Sequence, residues 1–142
     1  MPVTFDQERY NVSAPFSTSI RGLSDGRGIR VVGVSKHDAT KFAVNLRRGD
    51  DIYFHFNPRF NQGAVVMNCE IGGAWQQEEY IDPIPFTQGK IFTLDLVSIG
   101  GSVEVVVDGE QRGRFRIRED LRNVDRLEVE GDVDIHSVHY GA

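Results

Sequence analysis

The chain has little sulfur and little indole: one cysteine, Cys69, one tryptophan, Trp75, and two methionines in 142 residues. A lone cysteine excludes an intramolecular disulfide and a cysteine-based metal site, and it suits a protein made and kept in the reducing cytosol. No apolar run approaches the ~20 residues that a bilayer-spanning helix needs, so no membrane insertion is expected. The opening Met1-Pro2-Val3-Thr4-Phe5-Asp6 shows no basic stretch followed by an apolar one, the pattern of a secretory signal. Positive charge is also short: 16 Lys and Arg against 21 Asp and Glu leave a formal charge of −5. Nucleic acid and anionic membranes both demand a basic face, so neither is expected as the main partner. The local basic stretch Arg112 to Arg118 reads as a solvated strand face. Long helix-favouring runs are few as well.

What remains is turn chemistry between short alternating segments. Fifteen glycines punctuate the chain, and apolar and polar residues alternate in segments about ten residues apart. Ile52, Phe54, Phe56 and Phe60 point one way while Tyr53, His55, Asn57 and Arg59 point the other. Phe42, Val44 and Leu46 alternate with Ala43, Asn45 and Arg47. Ala64 to Ile71 stops at Gly72-Gly73, and Ala74 to Ile81 reads as one further strand stopping at Pro83 and Pro85. Asp108-Gly109 suits a two-residue hairpin whose central residues both take positive φ. Arg118 to Arg122 suits one short helical turn. Without linker or repeat, residues 1–142 read as one domain, large enough to bury roughly two-thirds of its unfolded surface. The expected class is all-β, an antiparallel sandwich or barrel of ten or eleven short strands.

Three hydrogen-bonding side chains, His55, Asn57 and Arg59, stand at i, i+2 and i+4 of one strand. Same-face neighbours on a strand lie about 6.6 Å apart, so the row can follow the rim of a hexose and offer fixed donors and acceptors to its hydroxyls. The plainer alternative is a strand showing polar residues to water. Asn68 adds an amide on the following strand, and Trp75 and Glu78 come shortly after. A single tryptophan is often a core residue. Here it follows Gly72-Gly73-Ala74 and precedes Gln76-Gln77-Glu78-Glu79, a very polar setting. An exposed indole offers a flat apolar surface to the C–H face of a sugar. Galactose suits that platform, because its axial 4-hydroxyl leaves one ring face apolar.

These motifs stand in an order that resembles the galectins, the β-galactoside-binding lectins. His55-Phe56-Asn57-Pro58-Arg59, Val66-Met67-Asn68 and Trp75-Gln76-Gln77-Glu78 are similar to the galectin pattern H-x-N-P-R, V-x-N and W-x-x-E-x-R. Ile84 to Phe92, Val105-Val106-Val107-Asp108-Gly109 and Gly131-Asp132-Val133-Asp134-Ile135 extend the resemblance over most of the chain. The resemblance implies a jelly-roll β-sandwich of two antiparallel sheets, of the galectin and legume-lectin type, with sugar on one sheet and neither metal nor cofactor. Carried across, His55, Asn57 and Arg59 would hold the axial 4-hydroxyl of galactose, and Arg59 the ring oxygen. Asn68 and Glu78 would hold the 6-hydroxyl, and Trp75 would stack beneath the ring. Implied partners are β-galactoside glycans (lactose or N-acetyllactosamine types) on glycoproteins or glycolipids, with a homodimer open to the chain. Implied localisation is cytosolic synthesis with export lacking a signal peptide.

Two departures stand out. Tyr80 occupies the place of the arginine that braces the glutamate and grips the second sugar in the family. It can stack on that sugar or simply pack. The loop between Arg59 and Val66 is also shorter than in many galectins. Asn45 and Arg47, on the preceding strand, share a face and form a candidate extended subsite with Tyr80; the alternative is plain solvated polarity. A glycosidase on a similar sandwich would need paired carboxylates flanking a sugar, and Glu70, Glu79 and Asp82 offer no such partner for Glu78. A second alternative is an interaction module that keeps the fold and has lost or changed its sugar specificity.

Overall fold

The structure, a computed structural model, describes residues 4–141. Thirteen strands and one turn of 3-10 helix form its regular elements. Period-two alternation of β-branched and aromatic residues drives most of them. In chain order they are β1 (Gln7–Tyr10), β2 (Phe16–Ser19), β3 (Gly28–Ser35), β4 (Phe42–Arg48), β5 (Asp51–Arg59), β6 (Ala64–Ile71), β7 (Ala74–Trp75), β8 (Glu79–Ile81), β9 (Ile91–Ile99), β10 (Ser102–Val107), β11 (Glu110–Arg116), β12 (Arg126–Gly131) and β13 (Val133–Tyr140).

Two antiparallel sheets result. One has the order β1-β13-β3-β9-β10-β11; the other runs β2-β12-β4-β5-β6-β7, with β8 also pairing with β6. Their inner faces enclose one apolar core. Phe54 and Phe56 of β5 are fully buried there, and Phe54 lies 4.9 Å from Phe115 of the opposite sheet between ring centroids. Such a two-layer sandwich leaves the outer face of each sheet open to carry side chains of another kind.

The expected all-β sandwich is therefore present, with more strands than expected because β1, β2, β7 and β8 are very short. The segment 74–81 is two strands, not one. In the pairing with β6, Glu70 faces Trp75 and Met67 faces Glu79, so Asn68 and Cys69 lie opposite the three residues Gln76, Gln77 and Glu78. One extra residue breaks the ladder as a bulge does and re-aims the side chains near it. The helical turn falls at Leu121–Asn123, later than expected, because the Asp120 side chain accepts from Arg122 N and caps it there. Asp108 and Gly109 take φ of 52° and 83°, as the hairpin demands.

One expectation about exposure fails. Asn45 is not solvated strand polarity: it is 1% exposed, on the outer face of β4 but covered by side chains from β5 and β12.

Candidate functional site

Antiparallel register lays a polar row across four neighbouring strands of the second sheet. Glu128 of β12 faces Asn45 of β4, Asn45 faces His55 of β5, and His55 faces Asn68 of β6. Two strands at the end of the sheet complete the surface. Gly72 and Gly73, with φ of 60° and 80°, make the tight turn from β6 to β7. That turn brings Trp75 over the row, with its ring centroid 4.8 Å from that of His55. The indole is 49% exposed, so it is a surface platform and not a core residue.

All six side chains expected at a sugar site come together on this face. His55, Asn57, Arg59 and Trp75 line a cavity of about 340 Å³. His55, Arg59, Trp75, Asn68 and Glu78 line an adjoining one of about 200 Å³. The shared residues make these two halves of one groove. Val66 floors the second half.

Each polar group is held before any ligand arrives. Asn57 Nδ2 donates to Phe42 O at 2.7 Å, and Asn57 Oδ1 accepts from Arg59 Nε at 2.8 Å. Arg59 Nη1 reaches Gln62 Oε1 at 3.5 Å, and Nη2 lies 4.0 Å from Glu78 Oε2. Asn68 Nδ2 donates to Gln76 O and its Oδ1 accepts from Cys69 N, which fixes the amide. His55 Nδ1 lies 2.6 Å from Asn45 Oδ1. Burial pushes the His55 pKa down to about 4, opposed by a hydrogen bond with the Asn57 side chain and helped by Arg59, Lys41 and Arg47, so the imidazole is neutral at pH 7. Such a surface presents donors from guanidinium and amide, acceptors from imidazole and carboxylate, and one apolar plate. That is the complement of a pyranose with one C–H face. No group of three or more His, Cys, Asp or Glu able to hold a metal occurs among the described residues.

Residues 15–140 match the galactoside-binding lectin family. The chain belongs to that family. Galectin-4 of Rattus norvegicus is 34% identical over 146 residues, covering 99% of this chain and 45% of the relative. The chain thus spans about half the length of that protein. Human galectin-7 is also 34% identical, with 89% of this chain and 96% of the relative covered. Among solved structures, galectin LEC-6 of Caenorhabditis elegans superposes with a TM-score of 0.89 at 39% identity, covering 97% of this chain and 98% of that one. Sheep galectin-11, solved in complex with glycerol, gives 0.80 at 25% identity, covering 89% and 97%.

Against the galectin pattern, Tyr80 is informative. Its hydroxyl donates to Glu78 Oε1, a bond that also pushes the phenol pKa up. Glu78 therefore keeps a brace at the position that loses its arginine, and Tyr80 leaves its ring 59% exposed beside it.

Sequence reasoning missed four residues. Arg118, which follows β11, donates to Gln77 O at 2.6 Å, Glu79 Oε2 at 2.9 Å and Asn68 Oδ1 at 3.3 Å. It is a clamp on the bulged segment, not solvated polarity, and nothing local in the sequence marks it. Lys41 and Glu130 line the larger cavity. Lys41 is carried by a loop that Asp132 holds through Thr40 N at 3.0 Å and Lys41 N at 3.4 Å; those amides depress the Asp132 pKa. Glu128 accepts from Asn45 and from Arg47. Its alternation with Leu127 and Val129 marks its face, but not its neighbours.

Proposed function

We propose that the groove binds β-galactosides, with Trp75 beneath the sugar ring and His55, Asn57, Arg59, Asn68 and Glu78 hydrogen-bonded to its hydroxyls. One observation carries this reading: an exposed indole stands over a pre-ordered set of donors and acceptors that lines one groove. Membership of the galactoside-binding lectins supports it. The hydroxyl beside His55 and Arg59 fits the axial 4-position of galactose, and the one between Asn68 and Glu78 fits the 6-position. Binding needs neither metal nor cofactor, and no covalent step. The natural partners under this reading are galactose-, lactose- or N-acetyllactosamine-type glycans of glycoproteins or glycolipids. Asn45 and Arg47 support the site from behind and beside His55; Tyr80 and the Lys41–Glu130 end of the groove meet whatever extends beyond galactose. The single thiol, Cys69, is buried and suits synthesis in a reducing compartment. Pairing into a homodimer would place two such sites on one particle and allow glycan cross-linking by multivalency.

Tyr80 is the point where this chain differs, and it directs the test. A phenol cannot make the forked contact of a guanidinium, so the second sugar is held less firmly than galactose. On a lactose-agarose column, Trp75→Ala and Arg59→Ala should each abolish retention while the unfolding midpoint stays near that of the wild type. Retention surviving both would place the site elsewhere. Tyr80→Arg should raise affinity for lactose over free galactose by roughly tenfold, the worth of one charged hydrogen bond. An unchanged ratio, read by calorimetry, would remove the second-sugar assignment.

A further inference from the structure

We propose that Arg47, Glu128 and Asn45 form a positioning relay that fixes the tautomer of His55, leaving Nε2 as a bare acceptor and making the site select a ligand group that donates a proton there. The relay stands on hydrogen-bond polarity. Arg47 can only donate, and its Nε does so to Glu128 Oε1 at 2.6 Å, while Nη1 donates to Asp50 O at 3.2 Å. The same Glu128 oxygen accepts from Asn45 Nδ2 at 3.3 Å. With its NH2 turned to the carboxylate, Asn45 presents its carbonyl oxygen to His55 Nδ1 at 2.6 Å. An amide oxygen only accepts, so Nδ1 carries the proton. The neutral ring then has none on Nε2. The Asn57 side chain also bears on the ring and opposes the effect of burial, but its Oδ1 already accepts from Arg59 Nε at 2.8 Å. Flipping the Asn45 amide would set its oxygen against the Glu128 carboxylate, acceptor against acceptor, so each step dictates the next.

Two further observations fit a relay and not a chance cluster. Glu128, Asn45 and His55 are direct cross-strand partners, so register alone holds the spacing. Asn45 is 1% exposed, and no buried side-chain polar atom among the described residues lacks a partner. A buried amide with both ends committed has no freedom to accommodate the other tautomer.

The consequence is a filter. Arg59 beside His55 offers only donors, so the ligand atom between them must accept from Arg59 and donate to Nε2. A hydroxyl does both; a fluorine or an ether oxygen cannot donate. Identifying that hydroxyl as the 4-position of galactose rests on the galactoside reading above, whereas the tautomer itself does not.

Nitrogen-15 NMR of the ligand-free protein, reading the imidazole two-bond couplings, tests the relay directly. His55 should be in the Nδ1–H form in the wild type, a mixture of tautomers in Glu128→Leu, and Nδ1–H again in Glu128→Gln, which keeps an acceptor oxygen. An Nε2–H wild type overturns the relay, whether or not the variants fold. So does a Glu128→Leu protein that folds and keeps a pure Nδ1–H ring. In a second arm, the wild type should prefer a methyl galactoside over its 4-deoxy-4-fluoro analogue, and Glu128→Leu should shrink that preference by up to about tenfold. A merely structural role would weaken both ligands alike and leave the ratio fixed. If the wild type binds neither ligand, the galactoside reading fails while the NMR result still decides the relay.

Discussion

At the scale of single residues, the site is defined by which polar atoms are already spoken for. His55 is the sharpest case. Its pKa of about 4 in the folded protein lies below the 6.5 of an exposed histidine. Between those values the unfolded chain binds a proton that the folded one refuses, so stability falls as pH falls from 6.5 to about 4 and is unaffected by this group above 6.5. Across that window the wild type should lose about 3 kcal/mol more than His55→Gln. Denaturant melts at several pH values check this, and parallel curves for the two proteins would refute it. The row of His55, Asn57 and Arg59 is legible from alternation alone, since a strand has only two faces. The atoms beneath it are not. Asn45 reads as one more outward polar residue until Glu128, 83 positions away, is set beside it. Burial of an outward-facing residue depends on what the neighbouring strands carry.

Elements decide how the polar row acquires its apolar plate. The Gly72-Gly73 turn and the bulge at Gln76–Glu78 together raise Trp75 and Glu78 at the edge of the sheet, and Arg118 pins the raised segment from below. Arg118→Ala should weaken binding of lactose by about tenfold, because three carbonyl and carboxylate oxygens lose a charged donor at once. Arg118→Lys should recover little of this, since a single ammonium lacks the fork that reaches Gln77, Glu79 and Asn68 together. Calorimetric titration of the two variants settles the matter; full recovery by lysine would mean that charge alone suffices. The diglycine turn was visible in the sequence, but the break at 76–78 was not. Its cause is a count, three residues opposite two, and the count exists only once β7 and β8 are both paired with β6.

For the whole molecule, the two sheets share one core, which ties the sheet that carries the site to its partner. Phe115 joins the two: it packs on Phe54 across the sandwich and carries the Arg118 guanidinium 4.7 Å above its ring. Phe115→Ala should cost about 3–5 kcal/mol by leaving a cavity, in a single cooperative transition, and should also weaken the clamp on the Trp75 segment. A denaturation curve with two separate steps would show that the sheets melt apart. All-β class and sandwich architecture follow from period-two alternation without a helix of ordinary length. Strand order does not, because β1 pairs with β13 and β2 with β12, from opposite ends of the chain. Alternation says which face is apolar, never which strand lies alongside.

Trp75 is the only tryptophan in the sequence, half exposed and in contact with His55. The protein therefore carries one native indole fluorophore, stationed where the sugar would land. Covering the indole should shift its emission to the blue as water leaves its face, so a titration needs no label and no immobilised ligand. Light from every other part of the molecule stays silent when tyrosine is not excited. Emission that does not move on adding lactose to a protein retained on lactose-agarose would mean that the ring is not what the sugar covers.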